Sequence, residues 1–365
     1  MKIAIYNLTT TTKAGGVETF VCGIACGLAK RGHEIHLYGG KSDNNLQIDG
    51  VKVFTYPYLS RESIPLLGSR LRKFIERLSF SFFALAPLMK HSYDAIYIHK
   101  SFDLPAALLV RMITKAKVFF HSHGTEFFPG YGNLVRCVDK FFSCSRFNAS
   151  EVEQAAKITP TVIYNGIDTD LFKPSEPDES FVKKYSPAGE RILISICRLV
   201  GWKGLQYAIG ALPDILKKHR VRYLIIGDGA YRKSLEKLAA ELKVDENVMF
   251  LGTIANKELP QYYGLSHVAV YPSVSDETFG ISIAEAMSCG VPVVAAGVGG
   301  IPEVLSEDAG VLIAPGDEQA IVKAVDTLLS DDSLRITQGA NARRRCLSNF
   351  NWDTITEYFE KEAQT

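Results

Sequence analysis

The sequence predicts an α/β protein with two doubly wound, Rossmann-like domains. Its 365 residues exceed one typical core and suit two domains. In both halves of the chain, short β-rich runs alternate with helical patterns. The strands are apolar along their whole length, which is typical of parallel sheets that helices cover on both faces. Two such series in one chain predict two open parallel sheets.

The first series starts within the first residues of the chain. Its strands are predicted at six apolar runs: "KIAIYN", "EIHLYG", "VKVFTY", "DAIYIH", "KVFFHS" and "KFFSCS". The patterns between these runs predict helices from Val17 to Lys30 and from Leu104 to Thr114.

The second series repeats this alternation. Its strands are predicted at "RILISIC", "RYLIIG", "NVMFLG", "HVAVYPS", "PVVAA" and "GVLIAP". Its helices are predicted from Leu205 to Lys218, Tyr231 to Leu242, Phe279 to Cys289 and Glu318 to Leu329.

A stretch rich in turn residues predicts the domain boundary. The segment from Asn165 to Pro187 contains three prolines and few large apolar side chains. We therefore predict an N-terminal domain over residues 1–170 and a C-terminal domain over residues 171–349. The last segment, 350–365, either caps the second domain or crosses back to the first.

The bulk composition excludes several classes of protein. The formal net charge is +1, so no global field favours nucleic acid as a partner. Seven cysteines without a CxxC pair predict neither a disulfide framework nor a zinc site. No run reaches the roughly 20 clean apolar residues of a membrane span. We therefore expect a cytoplasmic protein.

Residues 61–90 are both basic and aromatic. They contain six Lys or Arg against two Glu and include the run "SFSFFALAPLM". A helix of this composition is able to lie on an anionic membrane surface, which predicts a peripheral position on the inner face of the cytoplasmic membrane. An ordinary surface helix packed on its own sheet has the same apolar face, so both interpretations stay open.

Two strand-end loops are predicted to bind anions, because ligands bind at the carboxyl ends of strands in open α/β sheets. Gly15 and Gly16 precede a helix after the first strand, where bare N–H groups favour a phosphate. A simple tight turn is the alternative. Arg198 and Lys203 flank the turn "RLVGWKGL" after "RILISIC", and two cations beside a helix start suit a pyrophosphate. The alternative is a pair of solvated side chains.

Histidine ends another strand of the first series. His123 lies at the end of "KVFFHS" and precedes Gly124, which predicts that its ring faces the strand-end site. His121 lies two residues deeper on the same strand face, and we interpret it as a core residue.

Two acids flank an otherwise uncharged stretch, "ETFGISIAE". If a helix begins near Thr278, Glu277 lies at its N-terminal end and Glu285 lies about 12 Å further along the axis. A buried carboxylate is costly unless it is paired. The two acids are therefore predicted to hold two ends of one extended ligand through paired hydroxyls, as on a ribose and a hexose. Alternatively, Glu277 caps the helix and Glu285 forms a salt bridge.

These motifs together resemble one family. In order along the chain they are "GGVE", "HG", "VIYNGIDTDLF", "RLVGWKG", "GDG" and "ETFGISIAEAMSCGVPVVA". In this combination the chain resembles the retaining GT-B glycosyltransferases of the family 4 type (glycosyl transferases group 1). The last motif is the most specific, because Glu277 and Glu285 match the acid, seven residues, acid signature of that family.

The resemblance implies the fold and the donor site. Two Rossmann-like domains would face each other across a cleft, with the donor on the second and the acceptor on the first. Arg198 and Lys203 would neutralise the donor pyrophosphate, Glu285 would hold the ribose and Glu277 the sugar. The remaining implied donor contacts are the N–H groups of Phe279, Gly280 and Ile281 and the loop of Gly15 and Gly16. His123 would line the reaction centre, and no metal or other cofactor is expected.

The resemblance also implies a reaction and leaves its substrates open. It implies transfer of a hexose from a nucleotide sugar, with a UDP-sugar favoured over GDP-mannose, in cell-surface polysaccharide or lipopolysaccharide synthesis. The acceptor would be a glycan or a glycolipid. Phe127, Phe128 and Tyr131 are acceptor candidates because aromatic rings stack on sugar faces. A phosphorylase or hydrolase on the same scaffold, a small-molecule glycosyltransferase and a non-catalytic nucleotide-binding protein remain as alternatives.

Overall fold

The computed structural model describes residues 1–13, 15–43, 46–65 and 68–364. The chain divides into two compact units. Unit 1 is Met1–Gly166 together with Trp352–Thr365, and unit 2 is Ile167–Asn351. The sequence placed these two junctions after residues 170 and 349. Residues 66 and 67 of the predicted membrane segment, Ala14 of the first glycine loop and the terminal Thr365 lie outside the described residues.

The strands of the described chain fall into two series. Those of unit 1 are β1 (Lys2–Tyr6), β2 (Glu34–Gly40), β3 (Val51–Tyr56), β4 (Ala95–Ile98), β5 (Lys117–Ser122), β6 (Lys140–Ser143) and β7 (Thr161–Val162). Those of unit 2 are β8 (Arg191–Ile196), β9 (Val221–Ile226), β10 (Val248–Gly252), β11 (Val268–Tyr271), β12 (Val293–Ala296) and β13 (Gly310–Ile313).

Helices connect these strands. The α-helices are α1 (Gly16–Lys30), α2 (Ser69–Lys90), α3 (Leu104–Thr114), α4 (Tyr131–Val135), α5 (Arg146–Ala156), α6 (Glu179–Tyr185), α7 (Leu205–Leu216), α8 (Arg232–Glu241), α9 (Leu259–Leu265), α10 (Ile281–Ser288), α11 (Ile301–Val304), α12 (Glu318–Ser330), α13 (Asp332–Asn349) and α14 (Trp352–Gln364). Short 3-10 turns occur at Leu8–Thr11, Arg61–Ser63, Ser101–Asp103, Gly201–Lys203 and Asn256–Glu258.

Both sheets are parallel and have the same connectivity. The sheet of unit 1 has the order β3-β2-β1-β4-β5-β6-β7, and that of unit 2 has the order β10-β9-β8-β11-β12-β13. In each sheet the strand order reverses beside the first strand of the series, as in doubly wound folds. The predicted fold class, two doubly wound α/β domains, is confirmed.

Helices cover the sheet of unit 1 on both faces. Successive residues of a strand point to opposite faces, so each strand contributes side chains to both layers. Ile3 and Ile5 pack into the core beneath α1 and α14, whereas Ala4 and Tyr6 pack into a second core with α2 and α3. This explains why β1 is apolar on both of its faces.

Helix α10 begins later than the sequence predicts. We expected it to run from Phe279 to Cys289, with a start near Thr278, but it begins at Ile281. Gly280 precedes it with φ +91, in the left-handed region that favours glycine, and this conformation keeps the preceding residues out of the helix. Glu277 therefore lies in the loop before the helix, and the predicted helical spacing between the two acids is wrong.

Helix α2 buries charge on its inner face. Arg77 forms an ion pair with Asp103, and both side chains are almost fully buried. Its neighbour Glu76 is buried against Arg61, with Nε and Oε2 2.7 Å apart. Because buried charges are costly unless paired, these two pairs fix which face of α2 is turned inward.

The outer face of α2 is apolar instead. Large apolar side chains recur on it every three or four residues: Leu71, Phe74, Leu78 and Phe82. Phe82 is 77% exposed. In the part of the chain that the structure describes, no helix is long and apolar enough to cross a bilayer.

Candidate functional site

The turn that follows β8 places two cations around one indole ring. The guanidinium carbon of Arg198 lies 5.9 Å from the ring centroid of Trp202, and Nζ of Lys203 lies 4.5 Å from it. Both separations are within the range of cation–π contacts. Gly204 closes the turn with φ +73, and a side chain at this position would collide with the carbonyl oxygen of Pro272. Glycine is thus required for this turn to lie against the loop after β11.

Glu277 reaches the same turn from the loop after β11. Its carboxylate forms an ion pair with the ammonium of Lys203, and both side chains are mostly buried. The N–H of Val274 donates to the carbonyl of Trp202 at 2.9 Å, which joins the two loops. The structure therefore brings both predicted cations and the first predicted acid into one cluster.

The ion pair determines the charge state of this cluster. Burial lowers the pKa of the Lys203 ammonium to about 8, and the nearby Arg198 guanidinium acts in the same direction. Direct contact with the Glu277 carboxylate favours the charged ammonium instead. In the ligand-free protein, the Glu277 carboxylate is therefore paired with the Lys203 ammonium, a group that is also suited to bind a phosphate.

Glu285 is the second predicted acid and lies in the second turn of α10. It is 6% exposed, and burial raises its pKa to about 8. Within the described residues, no hydrogen bond or opposite charge offsets this burial. The carboxyl group is therefore protonated at neutral pH. It does not belong to the Lys203–Glu277 pair, and the alternative of a salt-bridged Glu285 is not found.

The N–H groups predicted to face phosphate lie at the start of α10. Gly280 is the N-cap residue and Ile281 the first helical residue. Gly280 has no side chain that could accept hydrogen bonds from these N–H groups, as an N-cap side chain usually does. Phe279 is buried, with its ring 5.4 Å from that of Phe350. The helix start is thus anchored by an aromatic contact, and no N-cap side chain bonds to its first N–H groups.

In unit 1, Gly15 and Gly16 lie at the start of α1. Both are exposed, and Gly15 is the N-cap residue in an extended conformation. Glu18, in the first turn of the helix, accepts a hydrogen bond from the hydroxyl of Thr9 at 2.5 Å. This contact ties the helix start to the loop after β1, as the prediction of a strand-end site requires.

His123 belongs to a cluster of three histidines. Its Nε2 lies 3.3 Å from Nδ1 of His99, and its ring stacks on that of His121 with centroids 4.3 Å apart. Nδ1 of His121 lies 2.7 Å from the hydroxyl of Tyr97. Burial lowers the pKa of all three imidazoles, that of His121 to about 3. The cluster is therefore neutral at physiological pH.

The three imidazoles have nitrogens within 4.8 Å of one another, which is the spacing of a candidate metal site. However, the ring planes of His121 and His123 are only 16° apart in their stack. Lone pairs lie in the ring planes, so two stacked rings cannot both direct a nitrogen at one ion.

A polar cavity of about 130 Å³ opens beside this cluster. It is lined by His99, His123, Lys100, Ser101, Ser122 and Glu126, together with the rings of Phe120, Phe127 and Tyr131. The hydroxyl of Tyr131 is buried without a hydrogen-bond partner. Two of the predicted acceptor residues, Phe127 and Tyr131, thus share a cavity with His123. The third, Phe128, lines a separate apolar groove.

Two residues of these sites were missed in the sequence. His99 follows the end of β4 as His123 follows β5, so the rule that selected His123 also applies to it. Trp202 lies between the two predicted cations and was treated as part of the turn. Its signal was the position of an aromatic ring between Arg198 and Lys203, where it can hold both.

Two family models match this chain, one over each half. The model described as "Glycosyltransferase Family 4" matches residues 14–171. The model described as "Glycosyl transferases group 1" matches residues 177–345.

Several relatives are similar over nearly their whole length. An uncharacterised glycosyltransferase of Methanocaldococcus jannaschii is 28% identical, over 98% of this chain and 96% of that relative. The GDP-mannose-dependent α-(1-6)-phosphatidylinositol monomannoside mannosyltransferase of Mycolicibacterium smegmatis is 27% identical, over 94% and 93%.

Solved structures share the architecture. The HepE protein of Anabaena in complex with UDP and glucose has a TM-score of 0.82 at 25% identity, and each chain is covered fully. Sucrose-phosphate synthase from Thermosynechococcus elongatus has a TM-score of 0.85 at 22% identity, over 100% of this chain and 98% of that one.

Proposed function

We propose that this chain transfers a hexose from a nucleoside diphosphate sugar to a glycan or lipid-linked acceptor. The chain belongs to the glycosyltransferases of the group 1 and family 4 type and is a glycosyl-transferring enzyme. The observation that carries this proposal is the cluster of Arg198, Lys203 and Glu277 at the strand-end loops of unit 2. We favour a UDP-sugar as donor, in line with the HepE complex, and the M. smegmatis relative supports GDP-mannose as the competing donor.

The diphosphate is the part of the donor that two cations suit best. In the proposal, Arg198 binds it through its planar fork and Lys203 as a point charge. The N–H groups of Phe279, Gly280 and Ile281 add donors at the start of α10. As the glycosidic bond breaks, negative charge grows on the leaving phosphate, and these fixed groups stabilise it.

The two acids hold the two ends of the donor. Glu277 leaves Lys203 when the phosphate arrives, and its carboxylate then accepts hydrogen bonds from the sugar hydroxyls near the reacting carbon. Glu285 binds the ribose hydroxyls, which supply the polar partners that its buried carboxyl group lacks in the free protein. This exchange explains why a chain would keep an uncompensated acid inside α10.

The acceptor side of the proposal is the polar cavity of unit 1. His123 lines the reaction centre as a neutral imidazole, held by His99 at 3.3 Å. Phe127 and Tyr131 offer aromatic faces to an acceptor sugar. An acceptor hydroxyl forms the new bond to the anomeric carbon and passes its proton to the leaving phosphate oxygen, while the bond between that carbon and the diphosphate breaks. Retention of the anomeric configuration and independence from a bound metal are part of the proposal and follow from the family.

We place the reaction in cell-surface polysaccharide or lipopolysaccharide synthesis, at the inner face of the cytoplasmic membrane. The exposed apolar stripe of α2, formed by Leu71, Phe74, Leu78 and Phe82, supports peripheral association with the membrane. Its flanking cations suit anionic lipid headgroups.

The proposal is tested by a donor screen. The protein is mixed with UDP- and GDP-linked hexoses and simple sugar acceptors, and both the released nucleoside diphosphate and the glycosylated product are measured. We expect one donor to give product in amounts equal to the nucleoside diphosphate released, with the donor's anomeric configuration kept in the product.

Two outcomes would overturn the proposal. Sugar phosphate formation that depends on added inorganic phosphate would identify a phosphorylase. Nucleotide binding without turnover of any donor would identify a binding protein. A chelator such as EDTA serves as a control, and we expect it to leave the rate unchanged.

A further inference from the structure

An apolar groove of about 320 Å³ lies in unit 1 and plays no part in the sites described above. Its volume is in the range of small-molecule sites, about 300–1,000 Å³. Its apolar lining is formed by Leu71, Phe74, Phe102, Pro105, Phe128 and Pro129. Among the described residues that line it, Arg70 supplies the one charged side chain.

The groove and the polar cavity share a wall. Ser101 lines the cavity and Phe102 the groove, and Phe127 and Phe128 divide in the same way. The rings of Phe102 and Phe128, which both line the groove, stack with centroids 5.2 Å apart. A polar space and an apolar space are therefore adjacent on one side of unit 1.

The outer rim of the groove continues into the exposed stripe of α2. Leu71 and Phe74 belong to both, and Leu78 and Phe82 continue the stripe along the helix. Lys73, on the same helix, forms an ion pair with Glu126, which lines the polar cavity. The helix thus connects the exposed apolar stripe with the cavity that we assign to the acceptor.

The lining of the groove selects its occupant. A peptide segment in this groove would leave most of its backbone N–H and C=O groups without partners, because Arg70 is the one polar side chain in the described part of the lining. A hydrocarbon chain has no such groups to satisfy. Arg70 and the ammonium of Lys100, which lines the cavity, complement a negatively charged head.

We propose that this groove binds the hydrocarbon chain of an anionic lipid-linked acceptor whose polar head occupies the adjoining polar cavity. The inference rests on the proposed function and names its acceptor class. It also explains why Phe128 is turned away from the cavity that holds Phe127 and Tyr131.

The test uses the full chain and dodecyl phosphate, kept below the concentration at which it aggregates, with binding measured by titration calorimetry. Phe74→Glu and Leu71→Gln alter the groove, and Phe82→Glu is the matched control on the same helix outside it. All three positions are exposed, so the variants should fold. We expect one molecule to bind per chain, with at least tenfold weaker binding for Phe74→Glu, weaker binding for Leu71→Gln and unchanged binding for Phe82→Glu. Inorganic phosphate should bind far more weakly.

Thermal protection by UDP or GDP, measured on each variant, separates this inference from the proposed function. If UDP or GDP still protects the protein against thermal unfolding but dodecyl phosphate does not bind, the groove does not bind the hydrocarbon chain, and the proposed function still stands. If Phe74→Glu and Phe82→Glu lose the same affinity for dodecyl phosphate, the ligand adsorbs to the surface of the helix, and binding in the groove is likewise contradicted. If inorganic phosphate binds as tightly as dodecyl phosphate, the protein does not recognise the hydrocarbon chain, and the inference is wrong.

Discussion

At the scale of single residues, Lys203 and Glu277 form a pair that a ligand must separate. In the free protein the carboxylate neutralises the ammonium, and both lie in a mostly buried position. In the proposal, a diphosphate offers Lys203 more negative charge than one carboxylate does and also engages Arg198, whose guanidinium contacts the same indole ring. In the proposed mechanism, donor binding thus frees Glu277 at the place where the sugar arrives.

Replacing Glu277 by Ala separates binding from turnover. Without the acid, Lys203 is free for phosphate, so we expect the affinity for the nucleoside diphosphate to be kept or to rise several-fold. Turnover should fall by at least about 100-fold, because the sugar loses its carboxylate contact. The neighbouring exposed acid provides the control variant Asp276→Ala, which should keep its rate. Persistent turnover in Glu277→Ala would show that the acid has another role.

The buried Glu285 makes folding stability depend on pH. Its pKa rises from 4.5 to about 8 on folding, so the folded state holds its proton more tightly than the unfolded state. The contribution of this group is therefore largest below about pH 4.5 and is lost progressively as the pH rises to about 8. A difference of one in pKa between the folded and unfolded states corresponds to about 1.4 kcal/mol of folding free energy.

Glu285→Gln removes this titration. Urea unfolding at pH 5.5 and pH 8.5 should show that wild type loses at least about 1.4 kcal/mol relative to the variant between these two values. An identical pH dependence of both proteins would contradict a raised pKa at this position.

At the scale of elements, the turn after β8 depends on one close approach. Gly204 and Gly189 both have φ +73, but only Gly204 lies against another segment, the carbonyl of Pro272. Ala at Gly189 should cost about 1–2 kcal/mol for the left-handed conformation alone. Ala at Gly204 should cost a further 1–3 kcal/mol, roughly, because the two loops must separate.

The Gly204→Ala variant should also weaken nucleotide binding, whereas Gly189→Ala should not. Urea unfolding and calorimetric titration of both variants check this expectation. Equal costs at the two positions would mean that the loops after β8 and β11 adjust freely to each other.

Helix α2 yields a prediction about membranes. Its apolar stripe faces outward and the exposed Arg70 and Lys90 lie on the same helix, so we expect the chain to float with liposomes that contain anionic lipid. Leu78→Glu combined with Phe82→Glu should reduce the floated fraction several-fold. Ile336→Glu, an exposed apolar residue in unit 2, is the control and should float like wild type. Absence of the wild-type chain from the lipid fraction would contradict membrane association.

At the scale of the whole molecule, the sequence predicts more of the fold than of the candidate sites. Long apolar strands that alternate with helices predict both sheets, because their patterns are local in sequence. The two-residue strand β7 is too short to carry such a pattern. The start of α10 was mispredicted because Gly280 adopts a left-handed conformation that apolar periodicity does not show.

The arrangement of side chains depends on contacts that are distant in sequence. The composition of residues 61–90 shows a basic, aromatic helix, but its exposed face follows from the pairing of Arg77 with Asp103, 26 positions away. Likewise, the sequence placed Phe127 and Phe128 together, and the packing of Phe128 on Phe102 separates them. The strand-end rule found His123, and its strict application would also have found His99.

The central claim is that Arg198 and Lys203 hold the diphosphate of a nucleotide sugar. Its most direct test is the affinity of the full chain for UDP and GDP, measured by titration calorimetry for wild type, Arg198→Gln, Lys203→Gln and the control Lys237→Gln, an exposed cation elsewhere in unit 2. Charge-assisted hydrogen bonds are worth about 1.5–3 kcal/mol, so each of the first two variants should lose at least about tenfold in affinity and the control nothing. Wild-type affinity in both Arg198→Gln and Lys203→Gln would contradict the claim.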